Sequence, residues 1–110
     1  MAWLLREGEV LAALEIADSR KTRRKGLVGR DGIGGALLLP SARMGVHSLG
    51  MRFDLDVAFC DRDMVVRRVV CLKRFRMTRP SFRAPCVLEA EAGAFERWQL
   101  HVGDELEIKE

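Results

Sequence analysis

The stretch Leu55-Asp56-Val57-Ala58-Phe59-Cys60 constrains the fold more than any other part of the chain. Its side chains alternate, with Leu55, Val57 and Phe59 on one face and Asp56, Ala58 and Cys60 on the other, which is the two-residue period of a β-strand. Runs of similar length recur on both sides of it. Trp3-Leu4-Leu5 and Val10 to Ala17 flank the turn Arg6-Glu7-Gly8-Glu9 and predict a hairpin. Met64 to Phe75 is rich in β-branched residues, but the doublets Val65-Val66, Arg67-Arg68 and Val69-Val70 break strict alternation. A β-bulge, or a strand crossing between two surfaces, accounts for them. Cys86 to Ala90 and Glu105 to Ile108 complete the set, the last with Leu106 and Ile108 inward.

Helical signals are few. Asp18-Ser19 offers capping side chains for a short basic helix from Arg20 to Val28, punctuated by Gly26 and Gly29. Phe95 and Trp98 fall at helical spacing within Ala92 to Leu100. The expected fold is therefore mainly β (α+β): a single compact sandwich-like or barrel-like domain of six to seven short strands with two short helices. At 110 residues and 12.4 kDa, residues 1–110 can bury one core but not two.

A composition of 48% apolar and 32% charged residues excludes a disordered chain. No apolar run approaches the roughly 18 residues of a membrane span. The opening Met1 to Arg6 lacks the basic and then long apolar pattern of an export signal, so the expectation is a cytoplasmic protein. Cys60, Cys71 and Cys86 are odd in number and widely spaced, without a Cys-x-x-Cys pair. That argues against a disulfide framework or structural zinc and for buried free thiols. The glycine-rich Asp31 to Gly35 is expected to be a plain turn, because a phosphate-cradling loop needs a strand before it and a helix after it.

The net charge of +3 hides two opposed segments. Residues 1–83 carry 17 basic and 9 acidic side chains, or +8, whereas residues 84–110 carry 2 and 7, or −5. Arg67, Arg68, Lys73, Arg74, Arg76, Arg79 and Arg83, interleaved with Phe75 and Phe82, form the best case for an anionic partner. Arginines neutralise phosphates, and aromatic rings stack on bases. Nucleic acid is nonetheless not favoured: the chain has no Tyr and only 6% aromatics, and its acidic C-terminal segment offers the basic one an internal partner.

Several motifs occur in order: Lys25-Gly26-Leu27-Val28-Gly29-Arg30, then Val46 to Phe53 ahead of Leu55 to Phe59, then Val87 to Gly93 ahead of Val102-Gly103-Asp104. With them the chain resembles domain-of-unknown-function family 192 over roughly residues 12 to 108. The resemblance implies a compact, mainly β domain with short helices and no assigned activity. Leu49-Gly50 stands where the family often has an aromatic residue, and Asp54 near where it often has a Pro, so a pocket shaped by that aromatic would differ here.

Four motif positions have reactive or soft side chains: Arg30, His47, Met51 and Asp56. The favoured expectation is a non-enzymatic binding module. Its pocket near these four residues would accept an unknown small ligand or a segment of a partner protein, with no catalytic residue, metal or cofactor assigned. The alternative is an enzyme in which Asp56 orients His47 as a general base. The plain reading is that Asp56 pairs with Arg30 or caps backbone donors, and that His47 is a hydrogen-bonded, half-buried ring. A Cys60–His47 nucleophile pair is disfavoured because an apolar strand raises a thiol's pKa. A metal site from His47, Asp56 and His101 lacks any supporting spacing.

Overall fold

The structure, a computed structural model, describes residues 2–17 and 34–110. The helix expected over Arg20 to Val28, most of the glycine-rich loop and Arg30 lie outside these residues. Strands β1 (Ala2–Arg6) and β2 (Glu9–Ile16) form the predicted hairpin. Its two loop residues, Glu7 and Gly8, have φ of 51° and 79°, the left-handed pair that lets a two-residue turn follow strand twist. Next come β3 (Ala36–Leu39), β4 (Leu55–Cys60), β5 (Val66–Leu72) and β6 (Cys86–Glu91). Helix α1 (Ala94–Trp98) and β7 (Glu107–Lys109) end the chain.

The seven strands form one sheet in the order β5-β4-β6-β3-β2-β1-β7. β2 and β3 run parallel, while the other pairs are antiparallel. The sheet then closes on itself, because the segment leading into β7 is hydrogen-bonded to the start of β5. Val66 N–H donates to the Asp104 carbonyl at 2.9 Å, Leu106 N–H to that of Met64 at 2.9 Å, and Gly103 N–H to that of Val66 at 2.8 Å. The result is mainly β and barrel-like, with α1 as its described helix. Among the described residues no helix is long and apolar enough to cross a membrane.

Closure gives the sheet an inside, which packs as one core, and an outside, which is covered over β3, β4 and β6. Leu4, Leu14, Leu38, Ala58, Val66, Leu88 and Leu106 face the interior, together with Phe95 of α1. Leu37, Leu39, Leu55, Val57, Phe59, Leu72 and Val87 face outward, where Ala42, Val46, Met51, Phe53 and Ala84 cover them. β4 is therefore buried on both faces. Its alternation sorts large side chains to the outer core and the small Ala58 and Cys60 to the interior, rather than apolar from wet. Full burial of Leu55, Val57 or Phe59 contributes about 1.5–3 kcal/mol each.

The doublets of β5 mark a bulge. Phe59 of β4 faces Arg68 while Cys60 faces Val66, so Arg67 is the extra residue. Val66 consequently points inward with Cys60, and beyond the bulge Arg68, Val70 and Leu72 share the outer face with Phe59, Val57 and Leu55.

Candidate anion-binding cleft

The topology forces two loops across the outer face. Leu39 pairs with Val87, which pairs with Phe59, so β3 ends beside the end of β4 and the chain must run back to enter β4 at Leu55. Leu72 pairs with Leu55, whereas β6 begins at Cys86 opposite Cys60, so the next loop runs the other way. Residues 41–53 and 73–85 therefore lie antiparallel and zip together. Val46 N–H donates to Thr78 Oγ1 and Thr78 N–H to the Val46 carbonyl, both at 2.9 Å. The wholly buried Ser48 donates its hydroxyl to the Lys73 carbonyl at 2.6 Å and accepts the Arg76 N–H at 3.0 Å. Gly45, with φ of 87°, lies where a Cβ would come within 2.5 Å of Thr78 Oγ1.

This ribbon leaves Met44, Leu49, Phe75, Met77 and Phe82 exposed. Residues 41–53 and 73–83 contain Arg43, Arg52, Lys73, Arg74, Arg76, Arg79 and Arg83 and no acidic side chain. Between the second loop and the bulge of β5 opens a cleft of about 950 Å³, lined by Arg67, Arg68, Arg79, Arg83, Phe82 and Asp61 among others. Asp61 is already engaged. Its carboxylate accepts the N–H groups of Asp63 at 2.9 Å and Val65 at 3.1 Å, and Arg67 approaches it at 2.8 Å. These contacts, led by the Val65 amide, hold its carboxyl below the usual range. The Arg68 guanidinium lies 4.0 Å above the Phe59 ring and donates to the Arg79 carbonyl at 3.2 Å. Its pKa is lowered by burial and then by the like charge of Arg79. The bulge thus turns one arginine onto an outer face where another already stands.

The structure places the sequence-derived site residues as follows. His47 is half-buried beside Met77, and its Nδ1 accepts the Leu49 N–H at 3.2 Å. Met51 is buried in the outer core. Asp56 is on the opposite face of β4, where its Oδ2 accepts the N–H groups of Gly93 at 2.9 Å and Phe95 at 3.0 Å. It supplies the α1 N-terminus with the acceptor that Gly93 lacks. The sheet therefore separates Asp56 from His47 and Met51, and the expected four-residue pocket and His47/Asp56 acid–base pair are not assembled. Arg30 lies outside the described residues. Of the seven basic residues, Arg67, Arg68, Arg79 and Arg83 come together at the cleft, while Lys73, Arg74 and Arg76 are exposed on the ribbon.

Two further expectations change. Within the acidic C-terminal segment, Asp104 pairs with Arg6 at 3.0 Å rather than with the basic ribbon. Among the described residues no carboxylate lies within ion-pair distance of Lys73, Arg74, Arg76, Arg79 or Arg83. The three cysteines are free, but only Cys60 is fully buried; Cys86 is intermediate and Cys71 exposed. Sequence reasoning missed Glu89, fully buried at the centre of the sheet between Leu37 and Val57. Its signal was its place on one strand face with Val87. Among the described residues no three His, Cys, Asp or Glu side chains converge as metal ligands would.

Fold and cleft together define a small, closed β-sheet domain with an arginine-lined groove on its outer face. The model of DUF192, described as "Uncharacterized ACR", matches residues 3–108, and the chain belongs to that family. Two crystal structures are similar. One is of a protein of unknown function from Novosphingobium aromaticivorans DSM 12444, with a TM-score of 0.76 and 18% identity over 96% of this chain and 82% of that one. The other, from Sinorhizobium meliloti 1021, is described as a "putative transcription regulator", with a TM-score of 0.76 and 20% identity over 96% and 90% of the two chains. No protein with a curated description matches.

Proposed function

We propose that the protein is a non-enzymatic binding module, and that the arginine-lined cleft with its adjoining ribbon receives an anionic partner. One observation carries this reading: four arginines line a single cleft whose acid, Asp61, is already occupied by Arg67. Arg68 and Arg79 stand close without a carboxylate between them, an arrangement that an incoming phosphate or carboxylate would relieve. The exposed Phe75 and Phe82 add apolar surface beside the cations. The partner is a cytoplasmic polyanion, in keeping with the location expected from the sequence. The likeness to a protein described as a transcription regulator supports the fold and leaves the kind of polyanion to experiment.

The test is an NMR titration of the full chain with inorganic polyphosphate, a single-stranded oligonucleotide and an acidic peptide. Shifts should concentrate at Arg68, Arg79, Ser81 and Phe82, and the tightest of the three probes identifies the partner class. Shifts scattered over the surface, or absent at the cleft, would refute the proposal.

A further inference from the structure

The antiparallel register of β4 and β6 sets Cys60 opposite Cys86. Both side chains face inward: Cys60 belongs to the interior core and Cys86 packs against it. Directly opposed residues of such a pair hold their Cβ atoms about 4.5–5.5 Å apart. A disulfide needs about 3.5–4.5 Å, so a small local adjustment joins them. The two thiols differ in access. Cys60 is sealed, and burial followed by the charge of Cys86 pushes its pKa up to about 12. Cys86 is partly exposed, with its Sγ 3.4 Å from the Pro40 carbonyl oxygen. The thiols face away from the cleft, but their strand ends adjoin it in sequence: Asp61, which lines the cleft, follows Cys60, and Ala84, which also lines it, precedes Cys86 by two positions.

We infer that Cys60 and Cys86 form a thiol–disulfide exchange site, in which Cys86 meets a low-molecular-weight disulfide and Cys60 then closes a reversible cross-strand bond. With oxidised glutathione, the Cys86 thiolate attacks one glutathione sulfur. A mixed disulfide forms as the glutathione S–S bond breaks, and one glutathione thiolate leaves and is protonated. Cys60 then gives up its proton and attacks Cys86 Sγ. The Cys60–Cys86 bond forms as the mixed disulfide breaks, and the second glutathione leaves as its thiolate and takes up that proton. Two protein thiols are oxidised and one disulfide is reduced to two thiols. The covalent ring encloses residues 61–85, including all four arginines of the cleft. Its effect is to restrict the unfolded chain while leaving an already paired register in place.

The experiment uses the folded Cys71→Ser chain, which removes the exposed competing thiol, equilibrated in glutathione buffers from fully reduced to fully oxidised. Intact mass should fall by two hydrogens, peptide mapping should link Cys60 to Cys86, and dithiothreitol should reverse both changes. The oxidised form should melt at a higher temperature, and Cys86→Ser, at the more accessible position, should abolish that rise. A stable glutathione adduct on Cys86 that never closes would overturn the inference. So would two alkylatable thiols after equilibration in oxidised glutathione, or closure seen only in denaturant.

Discussion

Replacing Asp56 by Ala tests the geometry that separates the two sides of β4. The carboxylate accepts two backbone N–H groups at the start of α1, from Gly93 at 2.9 Å and Phe95 at 3.0 Å, the second fully buried. Removing the acceptor strands both donors, at about 1–3 kcal/mol each. The partly solvated Gly93 amide belongs at the low end of that range, so the sum is about 3 kcal/mol. Against a domain stability of about 5–15 kcal/mol this is a large loss. At about 4 °C per kcal/mol for a chain of this size, the thermal midpoint should fall by about 12 °C. Urea denaturation followed by tryptophan fluorescence reads the loss close to its source, because Trp98 lies within α1 with its ring 5.7 Å from that of Phe95. Asp56→Asn keeps one acceptor oxygen and should lose about half as much. Polyanion affinity should be unchanged in Asp56→Asn, because the carboxylate faces away from the cleft. A cost below about 1 kcal/mol for Asp56→Ala would refute the capping role, and weakened binding in folded Asp56→Asn would refute the separation of faces.

Gly45→Ala should destabilise by about 2 kcal/mol or more, because a side chain at positive φ is strained and its Cβ would come within 2.5 Å of Thr78 Oγ1 and 2.8 Å of the Arg79 carbonyl oxygen. Chemical denaturation measures that cost, and a neutral result would show that the two loops are not zipped as described. Asp61 has a lowered pKa in the fold, so its contribution is full above the ordinary carboxylate value of 3.8 and fades as pH falls through the lower folded value. The stability gap between wild type and Asp61→Asn should therefore be constant near neutrality and close in acid; a gap that persists in strong acid would contradict it. In a reducing buffer with iodoacetamide, Cys71 should react first, Cys86 slowly and Cys60 only on unfolding, as exposure and a Cys60 pKa of about 12 require. Mass spectrometry gives the order, and early labelling of Cys60 would contradict its burial.

What could be read from the sequence was local. The alternation of 55–60, the hairpin around Glu7-Gly8 and the doublets of β5 each reflect one strand's own side chains, and each is present in the fold. Asp56 shows where that kind of evidence stops. A strand-face carboxylate near a histidine in sequence suggests acid–base chemistry, but its partners, Gly93 and Phe95, arrive from 37 and 39 positions away. The double burial of β4 is likewise a consequence of sheet closure and of loops crossing the outer face. Its sequence trace was that Ala58 and Cys60, on the face that also carries Asp56, are small and apolar. Charge sums could not predict pairing either. Asp104 was near enough to Arg6 to engage it, while Arg79 and Arg83 line the cleft and Lys73, Arg74 and Arg76 are exposed on the ribbon. The basic cluster was visible as a list of residues. Its convergence depended on a single bulged residue, Arg67, which sets the side of the sheet on which Arg68 emerges.

The claim that the cleft binds an anionic partner is tested most directly by the salt dependence of binding to a fluorescein-labelled single-stranded oligonucleotide, read by anisotropy. With Arg67 held by Asp61, three cleft arginines remain, and at about 0.7 per neutralised phosphate the log–log slope against salt should be at least about −2. The folded Arg79→Ala, Arg83→Ala double variant should bind more weakly, with the slope reduced in magnitude by about 1.4. An unchanged slope and affinity in that variant would contradict the account.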